Sequence, residues 1–220
     1  MKKKTLLIAV AAIVLAVVSA CSVTLAWLTA NTEEVKNTFT VGKIEIDLWE
    51  NALSSDGKQL DTNVDPVDGI DTYKIIPGGE QPKNPTVTVK AKSEDCYVYV
   101  KVTNNMVLTI NGVVTEVVTY ELDSKWEQIA VTTDNEGVKS YLYRYEDVIE
   151  YSNDDQNTTA VFSKIKYDGT KITSANIGEL TAEQVADRPG IVIDAFAHQS
   201  ANVDSVDVAD TAAKTQLGFN

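Results

Sequence analysis

After residue 40, apolar and polar positions alternate repeatedly along the chain. In residues 41–49, Ile44, Ile46 and Leu48 share one face, and mostly polar side chains occupy the other. Residues 97–103 alternate in the same way. Because successive side chains of a β-strand point to opposite sides of its sheet, this period of two predicts half-buried strands.

Two longer segments each predict a β-hairpin. Residues 108–122 turn at Asn111-Gly112, the dipeptide most typical of a two-residue hairpin loop. Residues 125–132 and 138–148 form the second pair, with a turn at residues 134–137. Weaker alternation predicts a further strand at residues 159–167, and residues 191–197 are predicted as the last clear strand.

A row of tyrosines marks one of these strands. Tyr141, Tyr143 and Tyr145 lie on one face, while Leu142 and Arg144 lie on the other. Such a row is typical of a cross-strand packed sheet face and favours that interpretation over a ligand platform.

Breaks and caps predict the remaining elements. A short strand at residues 73–76 ends at Pro77-Gly78-Gly79, and Pro82 and Pro85 keep the chain out of regular pairing until residue 86. Short helices are expected at residues 181–186 and 207–217. About nine strands separated by turn signals predict an all-β fold, a β-sandwich with short helical additions.

The N-terminus predicts an export signal helix. Lys2, Lys3 and Lys4 precede an apolar run at residues 6–18, and small residues follow. Thr24 and Ala26 stand at positions −3 and −1 of a cleavage site before Trp27. The domains are then a signal peptide at 1–26, an N-terminal arm at 27–36 and a sandwich at 37–220.

Two alternatives to this cleavage stay open. Residues 18–21 form a lipoprotein-like box, and cleavage there would leave Cys21 as a lipid-carrying N-terminus. Residues 6–28 are also long enough to span a bilayer as an uncleaved anchor. The apolar stretch continues past Cys21, which argues against lipidation.

The charge restricts the partners. The full chain has a net charge of −13, and residues 27–220 keep 16 basic and 32 acidic residues, for a net charge of −16. A chain this acidic does not attract nucleic acid or an anionic membrane surface. We expect contact with a membrane only through the signal segment, before cleavage.

One cysteine would remain after cleavage. Cys96 cannot form an internal disulfide by itself, so the exported fold would depend on its core alone. Because it precedes the alternating segment at residues 97–103, we expect Cys96 to be a small buried apolar side chain.

Several short motifs together resemble those of the camelysin/TasA family of Gram-positive surface proteins. They are Thr24-x-Ala26-Trp27-Leu28-Thr29, Asn37-x-Phe39-Thr40-x-Gly42-x-Ile44, Ile76-Pro77-Gly78-Gly79 and Ala195-Phe196-Ala197-x-Gln199. The most specific part covers about residues 1–48, whereas residues 104–176 carry none of these motifs. Cys21 within the signal departs from the family pattern.

The resemblance carries implications for fold, export and partners. It implies a jelly-roll sandwich, cleavage between Ala26 and Trp27 by a SipW-type signal peptidase, and assembly into extracellular biofilm-matrix fibres. The partners would be further copies of the chain and a minor matrix subunit. An arm freed at Trp27 could pair with an open sheet edge of the next copy, with Trp27, Leu28 and Val35 as anchors. The alternatives are that the arm packs on its own domain or is disordered.

Catalytic and metal-binding patterns are weak. The chain has one histidine, His198, and no His-Glu-x-x-His motif, so the metalloprotease label that camelysins carry gains little support. We therefore predict that the protein is not an enzyme and needs no cofactor. The one calcium-like loop places oxygen ligands at Asp61, Asn63, Asp65 and Asp68. Pro66 stands where an EF-hand loop needs glycine, which favours a solvated acidic loop.

The expected function is structural. We expect an exported protein of the cell surface or biofilm matrix that polymerises by N-terminal strand exchange after signal cleavage. The alternatives are a non-polymerising surface module for adhesion or ligand binding, and, with less support, a camelysin-type metalloprotease.

Overall fold

The computed structural model describes residues 42–54, 56, 58–62, 75–180, 190–201 and 203–219. Twelve strands, a short 3₁₀ helix at Ile177–Leu180 and one α-helix, α1 at Val206–Leu217, occur in these ranges. The strands are β1 Ile46–Trp49, β2 Glu80–Pro82, β3 Thr86–Val89, β4 Cys96–Asn104, β5 Val107–Ile110, β6 Val113–Glu116, β7 Val118–Leu122, β8 Trp126–Thr133, β9 Lys139–Tyr145, β10 Gln156–Asn157, β11 Phe162–Tyr167 and β12 Ile191–Gln199.

All strand pairs are antiparallel and form two layers. One layer is a four-stranded sheet in the order β12-β4-β9-β8. The other consists of the three-stranded sheets β1-β3-β10 and β2-β11-β7, while β5 and β6 form a separate hairpin. A single apolar core contains buried side chains from both layers, Val87, Val100 and Phe162 among them. The predicted all-β sandwich is therefore confirmed.

Strand β4 is central because both of its faces are covered. Val98, Val100 and Val102 point into the core between the layers, and each has no exposed surface. Tyr99, on the opposite face, is equally buried in a second apolar cluster that includes residues of α1. Cys96 begins this strand and is buried without a disulfide, as expected. Burial raises the pKa of its thiol to about 11, so the thiol keeps its proton.

The tyrosine row lies inside the sandwich. Tyr143 and Tyr145 are buried, and the Tyr143 hydroxyl lies 2.8 Å from that of Tyr120 on β7. Tyr145 packs edge-on against Trp126, with 5.1 Å between the ring centroids. The row therefore packs against other side chains of the core, as the alternation predicted.

The turn at residues 76–79 packs against the chain at Gly169, just after β11, so closely that only glycine fits there. The Gly79 N–H donates to the Ile76 carbonyl at 2.8 Å, and Gly78 has a φ of +76°. The Gly78 N–H also donates to the Tyr167 carbonyl at 3.0 Å, which brings this turn onto the end of β11. A Cβ at Gly169 would lie 2.8 Å from the Gly78 nitrogen. The glycines therefore permit backbone-to-backbone packing.

The structure corrects three predictions about strands. The hairpin at Asn111-Gly112 is confirmed but spans only β5 and β6, because β7 leaves to pair with β11. Residues 80–82, expected to be irregular, form β2 and pair with β11. Pro82 fits there because β2 is an edge strand of its sheet. Ile75 and Ile76 are not in a strand, and the rest of the expected strand at residues 73–76 lies outside the described residues.

The predicted C-terminal helix is confirmed as α1. It ends at Gly218, which has a φ of +80° and accommodates the left-handed conformation of a helix C-terminus. The Phe219 N–H then donates to the Lys214 carbonyl at 2.7 Å. In the described ranges, no helix is long and apolar enough to cross a membrane. The helix expected at residues 181–186 lies outside those ranges.

Candidate strand-acceptor edge

β12 forms one end of the four-stranded sheet. It pairs with β4 without a register shift, from Ile191 opposite Asn104 to Gln199 opposite Cys96. In the part of the chain that the structure describes, no strand pairs with the other side of β12. The strand therefore presents a regular edge, nine residues long, that no described strand covers.

The hydrogen bonds at both ends of β12 reveal which residues face outward. The Asn105 N–H donates to the Gly190 carbonyl at 2.9 Å, and the Ser200 N–H donates to the Asp95 carbonyl at 2.8 Å. In an antiparallel ladder, residues turned toward the partner alternate with residues turned away. Even-numbered residues of β12 thus face β4. We call the outward backbone groups of Ile191, Ile193, Ala195 and Ala197 the acceptor edge.

The same four residues point their side chains into the core. They pack against the core cluster, yet each of them is only half-buried. By contrast, the inward side chains of the neighbouring strand β4 have no exposed surface. A strand added at the acceptor edge would therefore satisfy backbone groups and also cover apolar surface, at about 25 cal/mol per Å².

β1 presents a second free edge beside β12. The Lys90 N–H donates to the Glu45 carbonyl at 2.9 Å, so the backbone groups of Ile44, Ile46 and Leu48 point away from β3. Cα atoms of β1 and β12 approach within 8 Å, but no ladder joins these two strands. A strand between them would need two ladder spacings, about 9.5 Å. Because β1 and β12 approach more closely than that, an added strand could pair with β12 alone, and pairing with both strands would require β1 to move away.

Few charges lie along the acceptor edge itself. Asp194 is the one charged residue of β12, and its backbone faces β4. His198 is half-buried, with its Nδ1 atom 2.8 Å from the Gln199 carbonyl oxygen. The low charge distinguishes this strand from a chain that is otherwise strongly acidic.

Ion pairs lie on the β1 side of the acceptor edge. The Lys90 ammonium donates to Asp155 at 2.5 Å and lies 3.3 Å from Asp47. A hydrogen bond from Lys43 lowers the pKa of Glu45, and one from Lys90 lowers the pKa of Asp155. Because lowered pKa values favour the ionised form, these two carboxylates keep their charges under mild acidification.

The predicted site residues fall mostly on parts of the chain not described. Thr24, Ala26 and Trp27 of the cleavage site, Leu28 and Val35 of the arm, and the alternative lipidation residue Cys21 all lie outside the described residues. The calcium candidates Asn63, Asp65 and Asp68 lie outside them as well. Asp61 belongs to a small loop, where its N–H donates to the Ala52 carbonyl at 2.7 Å.

The structure offers no alternative metal site among the residues it covers. Within the described ranges, no group of three or more histidine, cysteine, aspartate or glutamate side chains comes together. Asp155, in the segment before β10, accepts hydrogen bonds from Lys90 and from the Ala91 N–H.

The sequence predicts β12 as a strand but does not predict its position at the end of a sheet. Alternation identified residues 191–197 as a strand, and the structure extends this strand to Gln199. Whether a strand has one neighbour or two depends on distant segments, so its own sequence carries little signal. Charge does not reveal it either, since β12 and the central strand β4 each carry one charged residue in nine, Asp194 and Lys101.

Comparisons of the chain with protein-family models, with curated proteins and with solved structures found no match.

Proposed function

We propose that this protein is an exported structural component of the cell surface or biofilm matrix that polymerises by strand exchange. The arm at residues 27–36 of one copy adds to the acceptor edge of the next copy. The observation that carries this proposal is the regular edge of β12, with which no strand of the described residues pairs, together with its half-buried side chains. The resemblance of the N-terminal motifs to the camelysin/TasA family supports the same function.

The arm has the length that the acceptor edge requires. An extended strand rises about 3.4 Å per residue, so the ten-residue arm reaches about 34 Å and the nine-residue β12 about 31 Å. Each new backbone hydrogen bond contributes about 0.5–1.5 kcal/mol. Several such bonds and the added apolar burial together offset the entropy lost when a subunit joins a filament.

The apolar residues of the arm are spaced to fit a strand. Trp27 and Val35 are eight positions apart, so both side chains would lie on one face near the two ends of the arm. That face would cover the half-buried core side chains beside the acceptor edge. Leu28 would point to the opposite face.

This geometry yields an open chain of subunits. The arm and the acceptor edge are different surfaces, so the contact is head-to-tail, and a head-to-tail contact that does not close into a ring produces a filament. A SipW-type signal peptidase would release the arm by cutting before Trp27, and a minor matrix subunit would serve as a further partner. Polymerisation would thus begin only after export.

Electron microscopy of two purified proteins tests this proposal. One protein comprises residues 27–220, the other starts at residue 37, and both are concentrated and acidified. Acidification is needed because a net charge of −16 opposes association until carboxylates become protonated. We expect filaments from the longer protein only. Filaments from both would keep the structural role but discard the arm.

Absence of filaments from both proteins would favour a second function. The chain would then be a non-polymerising surface module for adhesion or ligand binding, or a subunit that assembles only with its partner. Adding the purified partner would separate these two outcomes. Chelator-sensitive cleavage of a general protein substrate would instead indicate the metalloprotease.

A further inference from the structure

Helix α1 is fastened to the outer face of the four-stranded sheet by one buried carboxylate. Asp210 accepts a hydrogen bond from the Tyr99 hydroxyl at 2.9 Å and another from Arg144 Nη1 at 2.7 Å. The Asp210 side chain is 12% exposed. Burial raises the pKa of the Tyr99 hydroxyl well above its usual range, and the bond to Asp210 raises it further. Tyr99 therefore remains a donor.

Apolar contacts surround this carboxylate. Ala209 and Ala213 of α1 have no exposed surface and pack with Tyr99 and Leu142 of the sheet. Phe196 of β12 joins the same cluster, and its ring centroid lies 6.1 Å from that of Tyr99.

The C-terminal end of α1 makes separate contacts with the sheet. Lys101 of β4 donates to the Leu217 carbonyl at 3.0 Å, and its ammonium lies 5.8 Å from the centre of the Phe219 ring. A cation near a helix C-terminus is favourable because the last carbonyls carry partial negative charge. α1 is thus held on β4 and β9 near its middle, at Asp210, and at its C-terminal end.

This arrangement matters most for β12. Among the described elements, α1 packs more extensively against β12 than against any other strand. β12 has a ladder on one side only, and none of its nine residues is fully buried. A strand with so few constraints opens locally more easily than a central strand. Contact with α1 on its outer face opposes that opening.

We infer that α1 is a clamp that preorganises β12 to receive the arm of another copy, with Asp210, Tyr99 and Arg144 as its positioning residues. This inference rests on the proposed function. An acceptor edge that is already ordered avoids the entropy of ordering it during binding. If loss of the clamp left β12 ordered about a tenth of the time, the apparent dissociation constant for the arm would rise about tenfold.

The test compares Asp210→Ala with Glu127→Gln in the exported protein purified from the medium of expressing cells. Both substitutions remove one carboxylate from Arg144, because Arg144 Nη2 also donates to Glu127 at 2.5 Å. Glu127 lies on β8 with a side chain 63% exposed, and it does not hold α1. The measurements are the critical concentration for filaments and hydrogen exchange of β12 amides in the monomer.

We expect Asp210→Ala to raise the critical concentration about tenfold and to bring exchange of the β12 amides close to the rate of an unstructured chain. Glu127→Gln should leave both unchanged. If Asp210→Ala fails to fold, Tyr99→Phe removes one anchoring hydrogen bond, keeps the ring contact with Phe196, and should shift both quantities in the same direction.

A lower melting temperature with unchanged critical concentration and unchanged β12 exchange would overturn the clamp, since it would show a general structural role. Equal effects of Asp210→Ala and Glu127→Gln would overturn it as well. Failure of the proposed function is a separate result, because in that case the unaltered protein would form no filaments. The clamp's role in assembly would then fail with it.

Discussion

The two end strands of the four-stranded sheet, β12 and β8, differ in the regularity of their free edges. In β12, outward residues follow one another at every second position. In β8, the register shifts between Gln128 and Ala130, which leaves Ile129 without a partner on β9. The Glu146 N–H donates to the Lys125 carbonyl on one side of this bulge, and the Asp134 N–H donates to the Val138 carbonyl on the other.

These bonds show how the bulge breaks the outward pattern of β8. Trp126 and Gln128 face outward before the bulge, and Val131 and Thr133 do so after it. The step from Gln128 to Val131 is three residues, so an incoming strand cannot keep a continuous ladder. β8 is therefore protected by geometry even though Val131 is 53% exposed. An exposed apolar residue is thus a poorer guide to a pairing edge than regular spacing of backbone groups.

Proline substitutions on the two edges should separate them most strongly. The N–H groups of Ala195 and Val131 both point away from their partner strands, so proline removes no bond within the sheet. We expect Ala195→Pro to abolish filaments of residues 27–220, because it removes a donor from the middle of the acceptor edge. We expect Val131→Pro to polymerise normally, as measured by electron microscopy and sedimentation.

Two controls accompany the proline pair. Ala195→Val keeps the N–H and should still polymerise, which separates the lost donor from a change of side chain. Circular dichroism and thermal unfolding should show that all three variants remain folded. Loss of filaments in Val131→Pro and not in Ala195→Pro would reverse the assignment of the two edges.

Deleting Ile129 should make the outer edge of β8 as regular as that of β12. Without this residue, the register of β8 on β9 becomes continuous, and its outward groups regain regular spacing. We expect new dimers or larger species at neutral pH, detected by analytical ultracentrifugation. Ile129→Ala keeps the bulge while removing part of the contact with the second apolar cluster, and it should remain monomeric. A monomeric deletion variant would show that the bulge is not what protects β8.

The smallest expected effect is a pH-dependent change in stability from Asp168, which follows β11 in the other layer of the sandwich. A hydrogen bond from Thr170 lowers the pKa of Asp168 to about 2, with help from Lys171 at 3.1 Å. This pKa is below the unfolded value of about 3.9, so the stabilisation is complete above that value and is lost as the pH falls toward 2. Asp168→Asn should therefore lower the free energy of unfolding by about 0.5–1 kcal/mol at pH 7.

The same substitution should leave the free energy of unfolding almost unchanged near pH 2, where Asp168 itself becomes protonated. Thermal unfolding of both proteins at pH 7 and pH 2 measures the difference. Glu121→Gln is a suitable control, because it removes an exposed carboxylate that Lys166 contacts elsewhere in the same layer. A constant difference between Asp168→Asn and the unaltered protein at both pH values would contradict the ionic origin of the effect.

Sequence patterns predicted the local features of the fold well. The alternation of β4, the Asn111-Gly112 turn and α1 all follow from neighbouring residues, and the structure confirms each. β2 escaped prediction because proline was expected to exclude pairing, although an edge position tolerates it. The expected long hairpin failed because β7 finds its partner some forty residues further along the chain.

The acceptor edge and the clamp could not be predicted from local pattern. Tyr99 and Asp210 are 111 residues apart, and nothing near either residue indicates the contact. The edge position of β12 likewise depends on which other strands reach β4. The arm, the cleavage site and the calcium candidates apart from Asp61 lie outside the described residues, so these expectations remain predictions.

The pairing of β12 with β4 also sets an order of events during synthesis. These two strands are separated by almost half of the chain, and α1 lies still nearer the C-terminus. The long-range closure that creates the edge is a slow step, because loop entropy must be lost before the ladder forms. In the proposed assembly, a nascent chain thus carries its arm from the start but acquires β12, the strand that would receive another arm, last. Incomplete chains could bind to a finished neighbour yet could not be extended, so truncated products would act as chain terminators.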